Sequence, residues 1–353
     1  MNTMSEAAML AALESVSPGT PLRQGLDYIL AGRTGALIVI GDESGVDAAS
    51  NGGFEINAPF TPERLFELAK MDGAILLSEG ATRIRRANVH LAPSPDLPTS
   101  ETGMRHRTAE RTSRQTRALV ISVSQRREVV SLYRGGDRLT LEDIDVVLAK
   151  ANQALQTLQR YRSRLDEVTA RLTSLEFEGM VTLGELAVVV RRAEMLRRAA
   201  KEVSRYIVEL GDEGRLVRLQ ADELIAGADD DYLMLARDYA PDGASRKAAT
   251  TLTRIGGLTP DQLRDATAVA VALGLPGKGD VEEQHVTPRG YRLLHRVPGL
   301  PTTVINRLID RFGTLARLLE ATEAELDDVE GVGERRARAI REGLRRMREH
   351  AAA

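Results

Sequence analysis

The chain contains no cysteine, which removes disulfides, thiolate zinc sites and cysteine nucleophiles together and is compatible with a reducing cytoplasm. Long apolar runs are missing too. No stretch approaches the roughly 20 residues that a membrane helix needs. The N-terminus, MNTMSEAAML, lacks the basic start and long apolar segment of a signal peptide. Neither a membrane role nor export is expected, and the cytoplasm is the expected location. A large charge of one sign is also absent: the net charge is −3 over 353 residues, so any contact with nucleic acid has to come from a local patch. Lysine is scarce and the basic residues are nearly all arginine, so an arginine by itself carries little information. There is no GxxxxGK[ST] loop. GLPGKGD (274–280) has a Gly-Lys pair without the preceding strand or the following Ser/Thr, and GALIVIGDESG lacks the dinucleotide spacing. HExxH is absent, and five scattered histidines make no ligand cluster.

What is present is enough hydrophobic sequence, 42%, to fill real cores, in a chain long enough for two or three domains. The spacing predicts a multidomain protein: an N-terminal α/β domain with a mixed central sheet over 1–140, an all-helical spacer over 141–285 and a small helical domain over 286–353. In the first, GALIVIG (35–41) and AILLS (74–78) read as buried strands. RANVHLAP (86–93) reads as a third strand, and ALVISVS (118–124) with EVVSLY (128–133) as a hairpin. Thr61 followed by Pro62 is a cap with proline in the first turn of a helix, ERLFELAKM. RTAERTSRQTR follows a Pro/Ser loop and reads as another helix. From Leu141 the pattern changes. Leu141, Leu148 and Leu155 recur every seven residues, and Ile144, Ala151, Leu158, Leu165 and Leu172 do the same on the adjacent row. That is the seam of a long coiled-coil-like helix, interrupted at Arg162 and Thr169. GADDDY (227–232) is read as a solvated loop between later helices.

The last segment carries a pattern with chemistry. Glu330-Gly331-Val332-Gly333 lies between an apolar turn and the helix ERRARAIREGL. Glycines on either side of one apolar residue let the backbone turn sharply and approach a neighbour. The helix that follows points free N–H groups and its positive dipole end outward, an anion seat. The pattern resembles the helix-hairpin-helix DNA-binding motif, with Ala337 and Ile340 where that motif buries its second helix. Pro298-Gly299-Leu300-Pro301 before TTVINRLI resembles a degenerate first copy. Tandem hairpins of this kind grip duplex backbone without reading bases. The candidate DNA contacts are Gly299, Gly331, Val332, Gly333, Arg335 and Arg336. Seven arginines crowd this helix, and on 3.6 residues per turn they cannot all face one ligand. A domain of about 65 residues has a marginal core unless it packs on something.

Residues 102–111 read TGMRHRTAER. A helix opening near Gly103 offers backbone donors, Arg105 and Arg107 can make bidentate bonds to phosphate, His106 can donate or accept, and Thr108 adds a hydroxyl. The plain alternative is that the three form a solvated patch or salt bridges to Glu101 and Glu110. Upstream, Met71-Asp72-Gly73-Ala74 sits at a helix-to-strand junction, where Asp-Gly is ordinarily a turn. The residues themselves go no further than one carboxylate and one phosphate-binding turn.

NGGFEINAPFTPERLFELAKMDGAILLSEG and PTSETGMRHRTAERTSRQTRALVISVSQ resemble the diadenylate cyclase family, whose two signatures are Asp-Gly-Ala and Arg-His-Arg, here 72–74 and 105–107. With the spacer and hairpins, the chain resembles the DNA integrity scanning branch of that family along nearly its whole length. The resemblance implies condensation of two ATP molecules into cyclic di-AMP with release of two pyrophosphates. By the family motif, Asp72 would bind Mg2+ or Mn2+ and help deprotonate the ribose 3′-hydroxyl. Gly73 and Ala74 would let backbone approach the nucleotide. Arg105, His106, Arg107 and Thr108 would hold phosphates. Leu91 would contact adenine through its backbone, and Ser124 is a lesser phosphate candidate. Met104 stands where members often carry threonine. The branch implies a homo-octamer of two facing tetramers, the long helix helping to hold the tetramers. It also implies a nucleoid-associated cytoplasmic location and a cyclase slowed by branched DNA such as a Holliday junction. Two other readings compete: a non-catalytic DNA-structure binder that only senses ATP, and a repair nuclease, the latter weakened by the lack of an acidic cluster other than GADDDY.

Overall fold

The computed structural model describes residues 3–41, 43–241, 245–277 and 279–351; Lys278 of the GLPGKGD break lies outside the described residues. The chain divides into two compact units, Met1–Gln153 with Val203–Leu219, and Ala154–Glu202 with Gln220–Ala353.

The first unit is built on a mixed sheet of β1 (Ala36–Ile40), β2 (Ser50–Asn51), β3 (Phe54–Pro59), β4 (Ala74–Leu77), β5 (Arg83–Leu91), β6 (Leu119–Ser124), β7 (Val129–Arg134) and β8 (Asp137–Thr140). The strand order is β2-β5-β4-β1-β6-β7-β8, with β3 also on β5. β1 and β4 are parallel, and the other pairs are antiparallel. Helices α1 (Thr3–Ser15), α2 (Pro21–Ala31) and α4 (Pro62–Leu68) cover one face; α3 (Glu43–Ala48) and α5 (Met104–Thr116) cover the other. Successive strand residues point to opposite faces. Ile38, Ile75 and Ile121 therefore meet Leu26, Ile29 and Leu65, while Leu37, Val39, Leu76 and Val120 meet Val46 and Ala109. Covering both faces is why these strands read as unbroken apolar runs. Thr61 caps α4 by accepting from the Arg64 N–H at 3.2 Å, as the Thr-Pro pair predicts.

The remaining helices are α6 (Ile144–Glu178), α7 (Leu183–Leu210), α8 (Arg215–Ile225), α9 (Ala228–Tyr239), α10 (Ser245–Gly256), α11 (Ala266–Leu273), α12 (Tyr291–His295), α13 (Thr302–Phe312), α14 (Leu315–Glu320), α15 (Glu323–Asp327) and α16 (Gly333–Ala351). The heptad region is the single long helix α6. Ala151, Leu155, Leu158, Leu165 and Leu172 are all buried within this one chain, so the seam is consumed internally. Arg162 breaks the row because it closes the end of another helix. Its Nη1 donates to the Leu224 and Ala226 carbonyls at 3.2 and 3.1 Å, satisfying the last turn of α8.

GADDDY is not a loop. Gly227 adopts a left-handed conformation and Asp229, Asp230 and Asp231 form the first turn of α9, where their charge complements the helix dipole. Asp231 also pairs with Arg296 at 3.1 Å.

The second unit holds a buried ionic cluster. Arg292 of α12 is 1% exposed; its Nη2 donates to Glu176 and, at 3.0 Å, to Thr173 Oγ1 on α6. Glu176 also accepts from the Tyr239 hydroxyl at 2.7 Å. Asp238 accepts from the N–H groups of Gly290, Tyr291 and Arg292 at 2.7, 2.6 and 2.9 Å, and so caps α12. The small C-terminal core does pack on something: Met234 of α9 joins the cluster that contains Leu308, Val332, Ala337 and Ile340, with Phe177 of α6 against it.

Candidate active site and nucleic-acid interface

The sheet register brings the two N-terminal motifs to one end of the first unit. Ala74 opens β4 opposite Val89 of β5. Ala36 opens β1 opposite Val123, next to the end of β6. The starts of β1 and β4 and the ends of β5 and β6 therefore share an edge, and Asp72, Gly73, Leu91 and Ser124 lie along it. α5 enters there: Arg105 Nη1 donates to the Val123 carbonyl at 3.3 Å, and its guanidinium lies against Gly35, where a Cβ would sit 2.0 Å from Nη1.

Gly73 is required by the backbone. Its φ is +91°, and a Cβ would meet the Asn88 carbonyl carbon and the Val89 oxygen at 2.9 Å. The loop is thereby held against β5 while Asp72 stays exposed. Ala74 is fully buried. Leu91 is in the same core cluster, which leaves only its backbone for a ligand. Ser124 is half-buried at the strand end.

Gly103 precedes α5 in an extended conformation and the helix begins at Met104, so it opens at Gly103 as the sequence suggests. The first N–H groups of a helix have no intrahelical partner, so this end presents backbone donors. Met104 points to solvent, 84% exposed, so at this helix end only its backbone faces the α5 N-terminus. Thr108 is half-buried one turn in.

The salt-bridge alternative for Arg105 and Arg107 does not hold. Buried Glu110 takes Thr99 Oγ1 at 2.7 Å, Ser100 N–H at 3.0 Å and Arg114 at 2.9 Å. These bonds hold its carboxyl below the usual range although burial itself pushes the other way. Glu101 takes Tyr133 Oη at 2.9 Å and Arg138 at 2.8 Å. Arg105 and Arg107 are left exposed, with long 3.3 Å bonds to backbone carbonyls, that of Arg107 to Thr102. His106 Nδ1 lies 2.9 Å from the Tyr133 hydroxyl. Burial lowers its pKa, Glu101 opposes this, and Arg138, Arg127 and Arg105 add to it. Tyr133 and Arg138 carry no signal of this role in the sequence, and Glu101 signals only a salt bridge; the fold brings them together from β7 and β8, far along the chain.

No group of three or more His, Asp or Glu able to hold a metal exists among the described residues. A single exposed carboxylate nonetheless suits Mg2+ or Mn2+, which bind through one or two carboxylates together with substrate phosphates. A cavity of about 800 Å3 lies at the opposite end of the sheet beside Ile40, Gly41, Ala118 and Leu119. It contains none of the motif residues.

In the second unit the two glycine turns are structural copies. Val297 and Val329 are both buried, and Gly299 and Gly331 follow with φ of +76° and +89°. α13 and α16 leave these turns. At Gly299 and Gly333 a Cβ would meet nothing, so both backbones are open to a partner. Val332 is buried and offers only its main chain. Arg335 is exposed, whereas Arg336 folds back onto the Gly331 carbonyl. Arg345 and Arg346 are paired with Glu342 at 3.0 and 2.8 Å.

Three family models match in order along the chain: the nucleotide-binding domain of the DisA bacterial checkpoint controller over 23–138, its linker region over 141–282, and a SAM-like helix-hairpin-helix tandem over 291–346. The DNA integrity scanning protein DisA of Carboxydothermus hydrogenoformans is 49% identical, over 98% of both chains. The chain belongs to the DNA integrity scanning (DisA) family. The DisA proteins of Symbiobacterium thermophilum and Frankia alni are 53% and 49% identical, over 95% or more of each chain. The DisA architecture is the one described above: a nucleotide-binding α/β domain, a helical linker and a tandem hairpin domain. No helix among the described residues is long and apolar enough to cross a membrane.

Proposed function

We propose that the chain is a diadenylate cyclase that condenses two ATP into cyclic di-AMP and two pyrophosphates, and is slowed when branched DNA occupies its hairpins. The observation that carries the reading is the juxtaposition at one sheet end of a free carboxylate, Asp72, and two arginines, Arg105 and Arg107, whose nearby acids are engaged elsewhere. Exposed guanidiniums that hold only one long bond each to a backbone carbonyl, beside a helix N-terminus, suit a polyphosphate.

The product is two-fold symmetric, whereas each chain carries one Asp-Gly-Ala and one Arg-His-Arg. Two chains therefore face each other through an isologous contact, each holding one ATP. This agrees with the open, exposed character of Asp72, Arg105 and Arg107 in a single chain. Backbone at Gly73, Ala74 and Leu91 takes the nucleoside. The first turn of α5, with Arg105, Arg107 and Thr108, holds the phosphates and offsets charge as the 3′-oxygen meets the α-phosphorus. Ser124 flanks the phosphates. Asp72 positions the attacking hydroxyl and would hold the divalent cation. When bound, Mg2+ or Mn2+ supplies Lewis acidity toward the phosphates and the hydroxyl.

The facing pair belongs to a homo-octamer. Because the seam of α6 is buried within its own chain, the tetramer contacts use other faces of that helix. At the hairpins, main chain at Gly299, Gly331, Val332 and Gly333, with Arg335 and Arg336, takes duplex phosphates. A location in the cytoplasm, near the nucleoid, follows from these substrates. The direct test is product formation from ATP and magnesium, read by mass spectrometry. An ATP-binding chain that makes no cyclic di-AMP would instead be a DNA-structure binder that senses ATP.

A further inference from the structure

We propose that Tyr133, Glu101 and Arg138 form a positioning relay that fixes His106 as the Nδ1–H tautomer, so that Nε2 becomes an acceptor for a ribose hydroxyl of the bound nucleotide. The inference deepens the cyclase reading and rests on it for the identity of the ligand.

Proton counting along the chain of contacts gives the direction. Glu101 Oε1 receives Arg138 Nη1 at 2.8 Å, and a carboxylate paired with arginine is ionised and accepts only. The Tyr133 hydroxyl, 2.9 Å from the same oxygen, therefore donates to it. Burial, reinforced by Glu101, pushes the phenol pKa well up, so this proton stays on Tyr133. A hydroxyl has one proton, and its remaining capacity is as an acceptor. His106 Nδ1, 2.9 Å away, must then be the donor. In a neutral imidazole this leaves Nε2 without a proton.

The groups facing His106 come from four places: Glu101 in the loop before α5, Arg105 on α5, Arg127 in the β6–β7 turn and Arg138 on β8. The three cations and burial favour the neutral ring, and Glu101 alone opposes them. The ring's other edge lies beside the start of α5, with Cδ2 3.6 Å from where a Cβ on Gly103 would stand. No protein group among the described residues bonds Nε2.

An unprotonated nitrogen repels phosphate oxygen and attracts a hydroxyl proton. The roles within the motif thus separate: Arg105 and Arg107 are donors suited to phosphate, and His106 between them is an acceptor suited to sugar. As a bare sequence, Arg-His-Arg offers three cations; the relay distinguishes the middle one. Tyr133 touches no substrate. It is a positioning residue that acts through His106.

The test uses the full chain labelled with 15N-histidine, at a pH where His106 is neutral. Nitrogen chemical shifts should report Nδ1–H for His106 in the wild type and loss of that preference in Tyr133→Phe, which keeps the ring that fills the core. With ATP and magnesium, Tyr133→Phe should lower kcat roughly 10- to 100-fold, at or below the low end of the range for outright loss of a proton-handling group because His106 itself remains, while KM for ATP stays within about twofold, since the phosphate donors are untouched. Glu101→Gln, which removes the charge that orients Tyr133, should move both readouts the same way. An Nε2–H tautomer in the wild type, or an unchanged kcat in Tyr133→Phe, would overturn the relay. Should the wild type make no cyclic di-AMP, the cyclase reading fails by itself, and the tautomer spectra still decide this one.

Discussion

Asp72 and Gly73 are neighbours with opposite demands. On the proposed cyclase reading, Asp72 has to stay exposed to meet a cation and a hydroxyl, whereas Gly73 presses against β5. Asp72→Asn keeps the shape of the loop and removes the charge. We expect it to lose at least about 100-fold in product formation, in the range for removing a proton-handling group, with an unchanged circular dichroism spectrum; full activity would remove Asp72 from the mechanism. Gly73→Ala meets both a left-handed φ and backbone at 2.9 Å. A left-handed non-glycine residue costs about 1–3 kcal/mol, before the clash is counted. It should therefore lower the melting temperature as well as the activity, and a variant as stable as wild type would contradict the close approach of this loop to β5. The motif residues were legible in sequence because their chemistry is local. The Tyr133–His106 contact was not, since 27 residues separate the partners and only the β6–β7 hairpin and the placement of α5 bring them together.

At the scale of elements, β1, β4 and β6 could be read because double-sided burial makes them uniformly apolar. α6 could be read because its heptads are long. β3 could not: NGGFEINAP is largely exposed, Asn57 is left-handed, and its pairing with β5 shifts register between Glu55 and Ala58. GADDDY misled because three aspartates resemble a solvated loop, while in the first helical turn the same charges are favourable. The hairpins bear a prediction of their own. Replacing Gly331 and Gly333 by alanine should weaken duplex DNA binding and leave basal cyclase turnover in place. Wild-type affinity should fall with salt, each phosphate contact contributing roughly 0.9 to the log–log slope; a flat titration would contradict backbone gripping.

Over the whole molecule, the buried Arg292–Glu176–Asp238 cluster makes the second unit sensitive to pH and to single changes. Removing Arg292 would leave two acids buried without their cation. Loss of one partner of a buried pair costs about 3–5 kcal/mol, so Arg292→Ala should depress the melting temperature sharply while Arg335→Ala, on the surface, should not. Burial, then repulsion from Glu176, pushes the Asp238 carboxyl up to about 7. The folded chain thus holds this proton more tightly than the unfolded chain, whose carboxyl titrates near 3.8. The sign follows: this contribution to stability is complete below about pH 4 and is lost as pH rises through about 7. Thermal unfolding of the second unit should accordingly occur at a lower temperature at pH 8 than at pH 6, and the opposite order would show that the cluster is fully ionised in the fold. The assembly makes the widest claim. A variant held monomeric should bind ATP and make no product, because under the proposed function each chain would supply half of a symmetric site. A Holliday junction, under conditions where it is bound, should lower the turnover of the assembled protein, and equal rates with and without it would contradict control through the hairpins.

The most direct measurement is incubation of the purified full chain with ATP and magnesium, followed by mass spectrometry of the nucleotides. The account predicts cyclic di-AMP and two pyrophosphates per product in the wild type and their loss in Asp72→Asn. Bound ATP that is left unconverted by the assembled wild-type protein would contradict it.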